Sequence, residues 1–71
     1  MTYILINQDN TLNWIGSKWD NSLVLEGVTV IEISDKSPKE VMGDLEFLDA
    51  VWDASEKKVK SITDNPELVN I

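Results

Sequence analysis

Carboxylates spaced four residues apart are the first side chains in this sequence whose types could do chemistry. Glu40 and Asp44 form one such pair, and Asp49 and Asp53 form another. On one face of a helix, two carboxylates at this spacing can hold a divalent cation or act together as acid and base. A solvated acidic face produces the same spacing, and we favour that interpretation. We therefore expect neither a metal site nor a catalytic pair.

The chain contains no histidine and no cysteine. Without histidine it lacks the commonest general base near neutral pH, and its serines have no partner to activate them. Without cysteine it lacks thiolate zinc sites and disulfides. The segment from Asp9 to Asn13 is similar to the start of a calcium loop, but it lacks the glycine and the closing glutamate. These absences predict a protein that is not an enzyme and that carries no cofactor.

The balance of charge limits the classes of partner. Thirteen acidic residues against six lysines, with no arginine, give a net charge of −7. Such a surface repels nucleic acid and anionic membrane, so we expect the chain to bind neither directly. An alternative is an acidic inhibitor or nucleic-acid mimic that acts on a host enzyme, and a second alternative is a carboxylate metal-binding domain. Both would use one acidic face, formed by Asp44, Glu46, Asp49, Asp53 and Glu56.

The three tryptophans are the candidates for a binding surface. Trp14 and Trp52 lie in predicted strands, where we expect them to be core residues. Trp19 lies in a polar loop, where it either folds back onto the core or anchors a partner. A chain of 71 residues without disulfides has a small core. We therefore expect a protein partner or self-association, and specifically a homo-oligomer.

Two segments near the N-terminus predict a β-hairpin. Thr2 to Ile6 is almost continuously apolar, which indicates a strand buried on both faces. Thr11 to Ile15 is the second strand, with Leu12 and Trp14 on one face, and a turn at residues 7–10 joins the two. A loop at residues 16–22 and a short strand at residues 23–25 follow. Val28 to Ser34 is the third strand, with one face formed by Thr29, Ile31 and Ile33.

A helix is predicted to begin at Pro38. Ser37 suits the N-cap position, and Glu40 completes a capping box. Two continuations remain open. In one, a single long helix covers residues 38–60, with Val41, Leu45, Leu48, Trp52 and Val59 on one face. In the other, a short helix near Pro38 to Met42 is followed by a hairpin with strands at residues 47–53 and 58–63.

The remaining organisation is simple. Pro66 ends the preceding element, and residues 64–71 form a tail that docks through Leu68, Val69 and Ile71 or frays. We expect a single domain over residues 1–71. The fold class is α+β, a small and mainly antiparallel sheet with one helix. The first ten residues have no basic region and no long apolar run, so we expect them not to be a secretory signal. No apolar run approaches the length of a membrane span, and together these features predict a cytoplasmic protein.

Three segments of this sequence resemble small uncharacterised proteins of tailed phages, especially those of marine cyanobacterial viruses. They are the hairpin YILINQDNTLNWIG, the strand VTVIEIS before a Ser-Pro turn, and the late segment AVWDASEKKVKSI. The resemblance implies a virion or tail accessory, located in the virion or in the host cytoplasm. It implies the hairpin rather than the long helix over residues 47–63, and it transfers no catalytic residue.

Overall fold

The computed structural model describes residues 1–23 and 25–70. The elements, in chain order, are β1 (Thr2–Ile6), β2 (Leu12–Gly16), β3 (Thr29–Ile33), the helix α1 (Pro38–Met42), the 3-10 turn Phe47–Asp49, β4 (Ala50–Asp53), β5 (Lys58–Ser61) and the 3-10 turn Pro66–Leu68. The strands pair antiparallel, in one sheet of three and one of two. This arrangement confirms the predicted α+β fold class.

β1 is the central strand of the larger sheet, between β2 and β3. Its apolar sequence suits that position, because side chains on both of its faces are covered: Ile4 and Ile6 on one face and Leu5 on the other. Ile4, Leu5 and Ile6 are all less than 5% exposed. The predicted hairpin of β1 and β2 is confirmed, and so is the third strand.

The second sheet is the hairpin of β4 and β5, in which Trp52 faces Val59 and Asp53 faces Lys58. It joins the larger sheet at the start of β2. There Thr11 forms an isolated antiparallel bridge with Val51. The backbone N–H of Trp52 also donates to the carbonyl of Asn10 at 2.8 Å. All four residues of β4 are buried, because the strand lies between β5 and the larger sheet.

The helix α1 is short because its sequence both starts and stops it. Ser37 and Glu40 form the predicted capping box, and Pro38 occupies the first turn. Gly43 then ends the helix with a φ of +57°, in the left-handed region that favours glycine. The alternative of one long helix over residues 38–60 is therefore wrong. The apolar residues that it placed on one helical face belong to separate elements.

The core lies between the larger sheet and the second hairpin. Its buried members are Ile4, Ile6, Leu12, Ala50, Trp52 and Val59. Val41, Met42 and Leu45, from α1 and the segment after it, pack against this cluster from one side. The face of the three-stranded sheet that lines this core is the inner face, and the opposite one is the outer face.

The predictions for Trp14 are wrong in two respects, because it neither shares a face with Leu12 nor lies in the core. Leu5 pairs with Trp14, whereas the next residue of β1, Ile6, pairs with Leu12. Asn13 is thus an extra residue, a β-bulge. Because Leu5 and Ile6 point to opposite faces, their partners do as well. Leu12 is buried on the inner face, while Trp14 is 36% exposed on the outer face.

The described part of the C-terminal tail is docked rather than frayed. The side-chain amide of Asn10 donates to the carbonyl of Leu68 at 2.9 Å. The backbone N–H of Asn70 donates to the backbone carbonyl of Asp9 at 2.8 Å. Ile71, which was also expected to dock, lies outside the described residues. So does Val24, the centre of the predicted strand at residues 23–25. Its neighbours Leu23 and Leu25 adopt no strand.

Candidate interaction surface

The outer face of the three-stranded sheet carries an apolar row across all three strands. Leu5 on the central strand pairs with Trp14 on one side and with Val30 on the other. Cross-strand partners point to the same face, so the three side chains are neighbours. Leu5 is 1% exposed, whereas Trp14 and Val30 are 36% and 40% exposed. The centre of the row is thus covered, and its two ends are open to solvent.

Trp19 adds a second aromatic ring to this surface. Its ring centroid lies 5.5 Å from that of Trp14, with an interplanar angle of 45°. This tilted contact is a favourable aromatic geometry. It also shows that the loop between β2 and β3 passes over the outer face near β2. Trp19 has therefore folded back, as one of its two predicted placements required, but onto the outer face and not onto the core.

The indole N–H of Trp19 is buried and has no hydrogen-bond acceptor among the described residues. An unsatisfied buried donor of this kind typically costs about 1–3 kcal/mol. The ring is therefore held by its apolar contacts rather than by a polar one. We call Leu5, Trp14, Trp19 and Val30 together the aromatic patch.

Sequence reasoning missed Gly16, which supports the aromatic patch. A Cβ built at Gly16 would lie 2.2 Å from the nearest atom of the Trp14 ring. The ring therefore lies over the glycine backbone, and no other residue leaves it that space. The available signal was the spacing of two residues between Trp14 and Gly16, which places both on one face of a strand.

Trp52, the third tryptophan candidate, has a different role. It is 7% exposed and belongs to the core cluster. Its burial is the placement that the sequence predicts for it.

Three of the five acidic candidates, Asp49, Asp53 and Glu56, contact other side chains of the same chain and so do not form a free acidic row. The carboxylate of Asp49 accepts hydrogen bonds from the Ser61 hydroxyl at 2.5 Å and from the backbone and hydroxyl of Thr63 at 3.0 and 2.9 Å. The bonds from Ser61 and Thr63 lower the pKa of Asp49 below its usual value. Asp49 thus ties its 3-10 turn to the end of β5.

Asp53 is tied in a similar way at the other end of the second hairpin. Its carboxylate lies 2.8 Å from the ammonium of Lys60. It also accepts from the backbone and hydroxyl of Ser55 at 2.9 and 2.7 Å. The Lys60 and Ser55 contacts hold the pKa of Asp53 well below its usual range. Glu56 pairs with the same lysine. Both carboxylates raise the pKa of Lys60, and Asp53 has the larger effect.

Asp44 and Glu46 differ from the other three acidic candidates. Both are exposed, and neither takes part in an ion pair within the described residues. Across residues 1–23 and 25–70, no group of three or more potential metal ligands is brought together. The same residues contain no helix long and apolar enough to cross a bilayer.

Comparison of this chain with models of known protein families, with curated proteins and with solved structures finds no match. The physical properties of the surface are therefore what bears on its function.

Proposed function

We propose that this chain is a non-enzymatic interaction or assembly protein, of the phage accessory type that its sequence resembles. It binds a protein surface, in the first place that of another copy, through the aromatic patch. As part of this proposal, we infer a location in the host cytoplasm or in the virion, which is what the resemblance implies. The observation that carries the proposal is the contact of Trp14 and Trp19 on the outer face of the sheet.

Tryptophan is among the residues most enriched at the anchor positions of protein interfaces, and two tryptophans lie side by side on this face. Here the anchor is already ordered before a partner arrives, since Trp14 lies over Gly16 and against Trp19. A partner would therefore bind without paying for the immobilisation of these side chains.

The accessible surface of the chain also supports assembly. A compact monomer of this mass exposes about 4,450 Å² by the usual scaling of surface with mass. This chain exposes 4876 Å². The excess is about a tenth of the total. Trp14 and Val30 are among the large apolar side chains that the chain leaves exposed.

The acidic inhibitor receives less support as a function. Its row of five carboxylates would need Asp49, Asp53 and Glu56 to face a target. These three instead bind serine, threonine and lysine side chains of the same chain. Only Asp44 and Glu46 remain for such a role.

Light scattering on the purified protein, across concentration and at low and high salt, tests the proposal. We expect association that persists at high salt, because screening weakens charge contacts but not apolar ones. Trp14→Ala should reduce it, and Leu23→Ser, which removes an exposed leucine elsewhere, is the matched control.

Acrylamide quenching of the Trp52→Phe variant, in which only Trp14 and Trp19 fluoresce, gives an independent readout. We expect quenching to fall as the protein associates. A protein that is monomeric at every concentration, with acrylamide quenching that does not change with concentration, would contradict the proposal. That result would favour the acidic inhibitor. The inhibitor's binding should then weaken with added salt.

A further inference from the structure

The larger sheet leaves one edge open along β3. The strand order is β2, β1, β3, so β3 has a hydrogen-bonded neighbour on one side only within the described residues. Beside it lies a pocket of about 450 Å³, with Val30, Ile31, Glu32 and Ile33 among its lining. Because these four residues are consecutive, the open space follows the strand, and no other described element covers the edge.

The pairing pattern identifies the backbone groups that point out from this edge. In an antiparallel sheet, successive residues of a strand direct their N–H and C=O groups alternately to its two sides. The N–H of Asn7, directly after β1, donates to the carbonyl of Thr11 at 2.9 Å, on the β2 side. Counting back along β1, the residues that direct these groups to β3 are Ile6, Ile4 and Thr2, whose partners are Thr29, Ile31 and Ile33.

Val30 and Glu32 are therefore the residues of β3 whose backbone groups point away from β1. Within residues 1–23 and 25–70, no hydrogen bond joins these groups to a residue outside the sheet, and both residues are exposed. Alternating N–H and C=O groups along a strand edge match the spacing of another β-strand. The chemistry of the edge thus specifies a strand as its partner.

The strands β2 and β5 carry features that discourage such pairing, and β3 does not. A bulge at Asn13 interrupts β2, and Lys58 and Lys60 lie in β5. Bulges and lysines are both means by which proteins keep strand edges from pairing with other chains. The register of β3 is regular throughout, and its one charged residue is Glu32.

We propose that the β3 strands of two copies pair antiparallel along this edge, centred on Ile31, so that the two larger sheets become one continuous sheet. Val30 of each copy then exchanges N–H and C=O hydrogen bonds with Glu32 of the other. The contact is isologous, since both copies use the same strand about a two-fold axis. The inference rests on the proposed assembly function and adds a second contact between copies to that of the aromatic patch.

The sequence of β3 is self-complementary in this register. Each Glu32 lies opposite a valine, and the two carboxylates do not face each other. A register centred on Glu32 would place them directly opposite, where like charges repel. The charge distribution therefore excludes that register and accepts the one centred on Ile31.

A register centred on Val30 satisfies the backbone groups less well. It would place Ile33 of one copy opposite Gly27 of the other, and Gly27 lies outside β3 with a φ of +75°. Centring on Ile31 instead places Ile33 opposite Thr29, so every residue of the strand has a partner within the strand.

The two faces of the joined sheet suit the same arrangement. Cross-strand partners point to the same face, so the two Ile31 side chains meet on the inner face, beside a pocket lined also by Trp52 and Ala54. On the outer face the two Val30 side chains become diagonal neighbours. Both aromatic patches then lie on one side of the sheet, where each stays open for its own contact.

Amide hydrogen exchange, resolved by residue with NMR, tests the pairing directly. Samples should span the concentrations over which light scattering shows the protein to associate. We expect the amides of Val30 and Glu32 to exchange more than about tenfold more slowly once the protein associates. Those of Thr29, Ile31 and Ile33 are the internal control, because their bonds to β1 protect them at every concentration.

Two variants of one position test the register. Val30→Lys places an ammonium opposite Glu32 of the other copy, whereas Val30→Glu places a second carboxylate there. The Glu32 amide of the lysine variant should become protected at a concentration about tenfold lower than that of the glutamate variant. Asn21→Lys and Asn21→Glu, at an exposed loop position, change net charge equally and should not differ from each other.

Three outcomes would overturn the edge pairing. They are Val30 and Glu32 amides that stay unprotected while the protein associates, amides already protected in the dilute monomer, and Val30 variants that differ no more than the Asn21 pair.

Failure of this inference differs from failure of the proposed function. If association depends on Trp14 while the edge amides stay unprotected, the function stands and the edge pairing falls. If the edge amides become protected but Trp14→Ala associates like the wild type, the edge pairing stands and the aromatic patch loses its role. If the wild-type protein never associates, both fall.

Discussion

The indole ring of Trp14 lies over Gly16, two residues further along the same strand, so closely that a Cβ at Gly16 would stand 2.2 Å from the ring. This contact holds the ring across the outer face, beside Leu5 and Trp19. The aromatic patch therefore depends on a residue that has no side chain.

Gly16→Ala should displace the Trp14 ring and destabilise the fold by about 1–3 kcal/mol, as overpacking of a close contact does. Urea unfolding followed by tryptophan fluorescence measures the loss of stability and the expected red shift of the native spectrum. Ser17→Ala, at the next and exposed position, should change stability by less than about 0.5 kcal/mol. Equal stability of the two variants would show that the ring is free to move aside.

Trp52→Ala should cost about 3–5 kcal/mol, because it removes a large side chain from the core cluster and leaves a cavity. The total stability of a chain this long is of the order of 4–11 kcal/mol. We therefore expect this variant to be partly unfolded in water, which circular dichroism would show directly. Leu48→Ala, at a position that is 91% exposed, should cost no more than about 0.5 kcal/mol. A large loss at Leu48 would mean that this side chain is buried in solution.

Asp53→Asn should weaken the fold near neutral pH and have little effect in acid. The contacts with Lys60 and Ser55 depress the pKa of Asp53 in the folded state. Its carboxylate therefore stabilises the fold above the unfolded pKa near 4, and this contribution is lost as the pH falls through the lower folded pKa.

Urea midpoints from pH 7 down to pH 2 provide the comparison for Asp53. The gap between wild type and Asp53→Asn should stay constant above the unfolded pKa near 4 and narrow progressively as the pH falls from there to 2. Asp44→Asn removes an exposed carboxylate that forms no ion pair within residues 1–23 and 25–70, and so controls for the change in net charge. A gap of constant size across this range would exclude the ionised Asp53 as the cause.

The two ends of α1 can be tested separately. Ser37→Ala removes the capping hydroxyl and should cost about 1 kcal/mol. Gly43→Ala places a side chain at a φ of +57°. It should cost about 1–3 kcal/mol from backbone strain alone, since, apart from its chain neighbours, no atom of the described residues lies within 4 Å of a Cβ at that position. Thermal melts give both values, with Ser34→Ala as the control. If Gly43→Ala were neutral, the helix would be extending past Met42.

Local patterns predicted most of the secondary structure. Three of these patterns depend only on residues that are close together in the sequence. They are the apolar run of β1, the alternation of apolar and polar residues in β3, and the capping box at Ser37. The choice between a long helix and a second hairpin was less determined, because Leu48, Trp52 and Val59 fit a helical face as well as they fit strands. Gly43 decides it in the structure through its positive φ.

The candidate surfaces were harder to predict because they depend on pairing between distant segments. The bulge at Asn13 turns Trp14 to the outer face, and a bulge has no reliable signature in one sequence. The apolar pocket beside β3 is lined by Ile31 of that strand and by Trp52 and Ala54 of the second hairpin, so it depends on the approach of two distant segments. Likewise, the partners of Asp49 lie 12 and 14 residues away along the chain, so its role was not visible from spacing.

The pairing pattern of the strands has a consequence for the order of folding. The hairpins β1–β2 and β4–β5 connect neighbouring segments, and such hairpins form within microseconds. The pairing of β1 with β3 instead joins Ile6 to Thr29 and Thr2 to Ile33, and non-local pairing of this kind slows folding. We expect Ile31→Val to slow refolding and Val59→Ala mainly to speed unfolding, as stopped-flow measurements can show. Until β3 docks, the apolar edge of β1 stays open, so this last step sets how long a newly made chain can pair with the wrong strand.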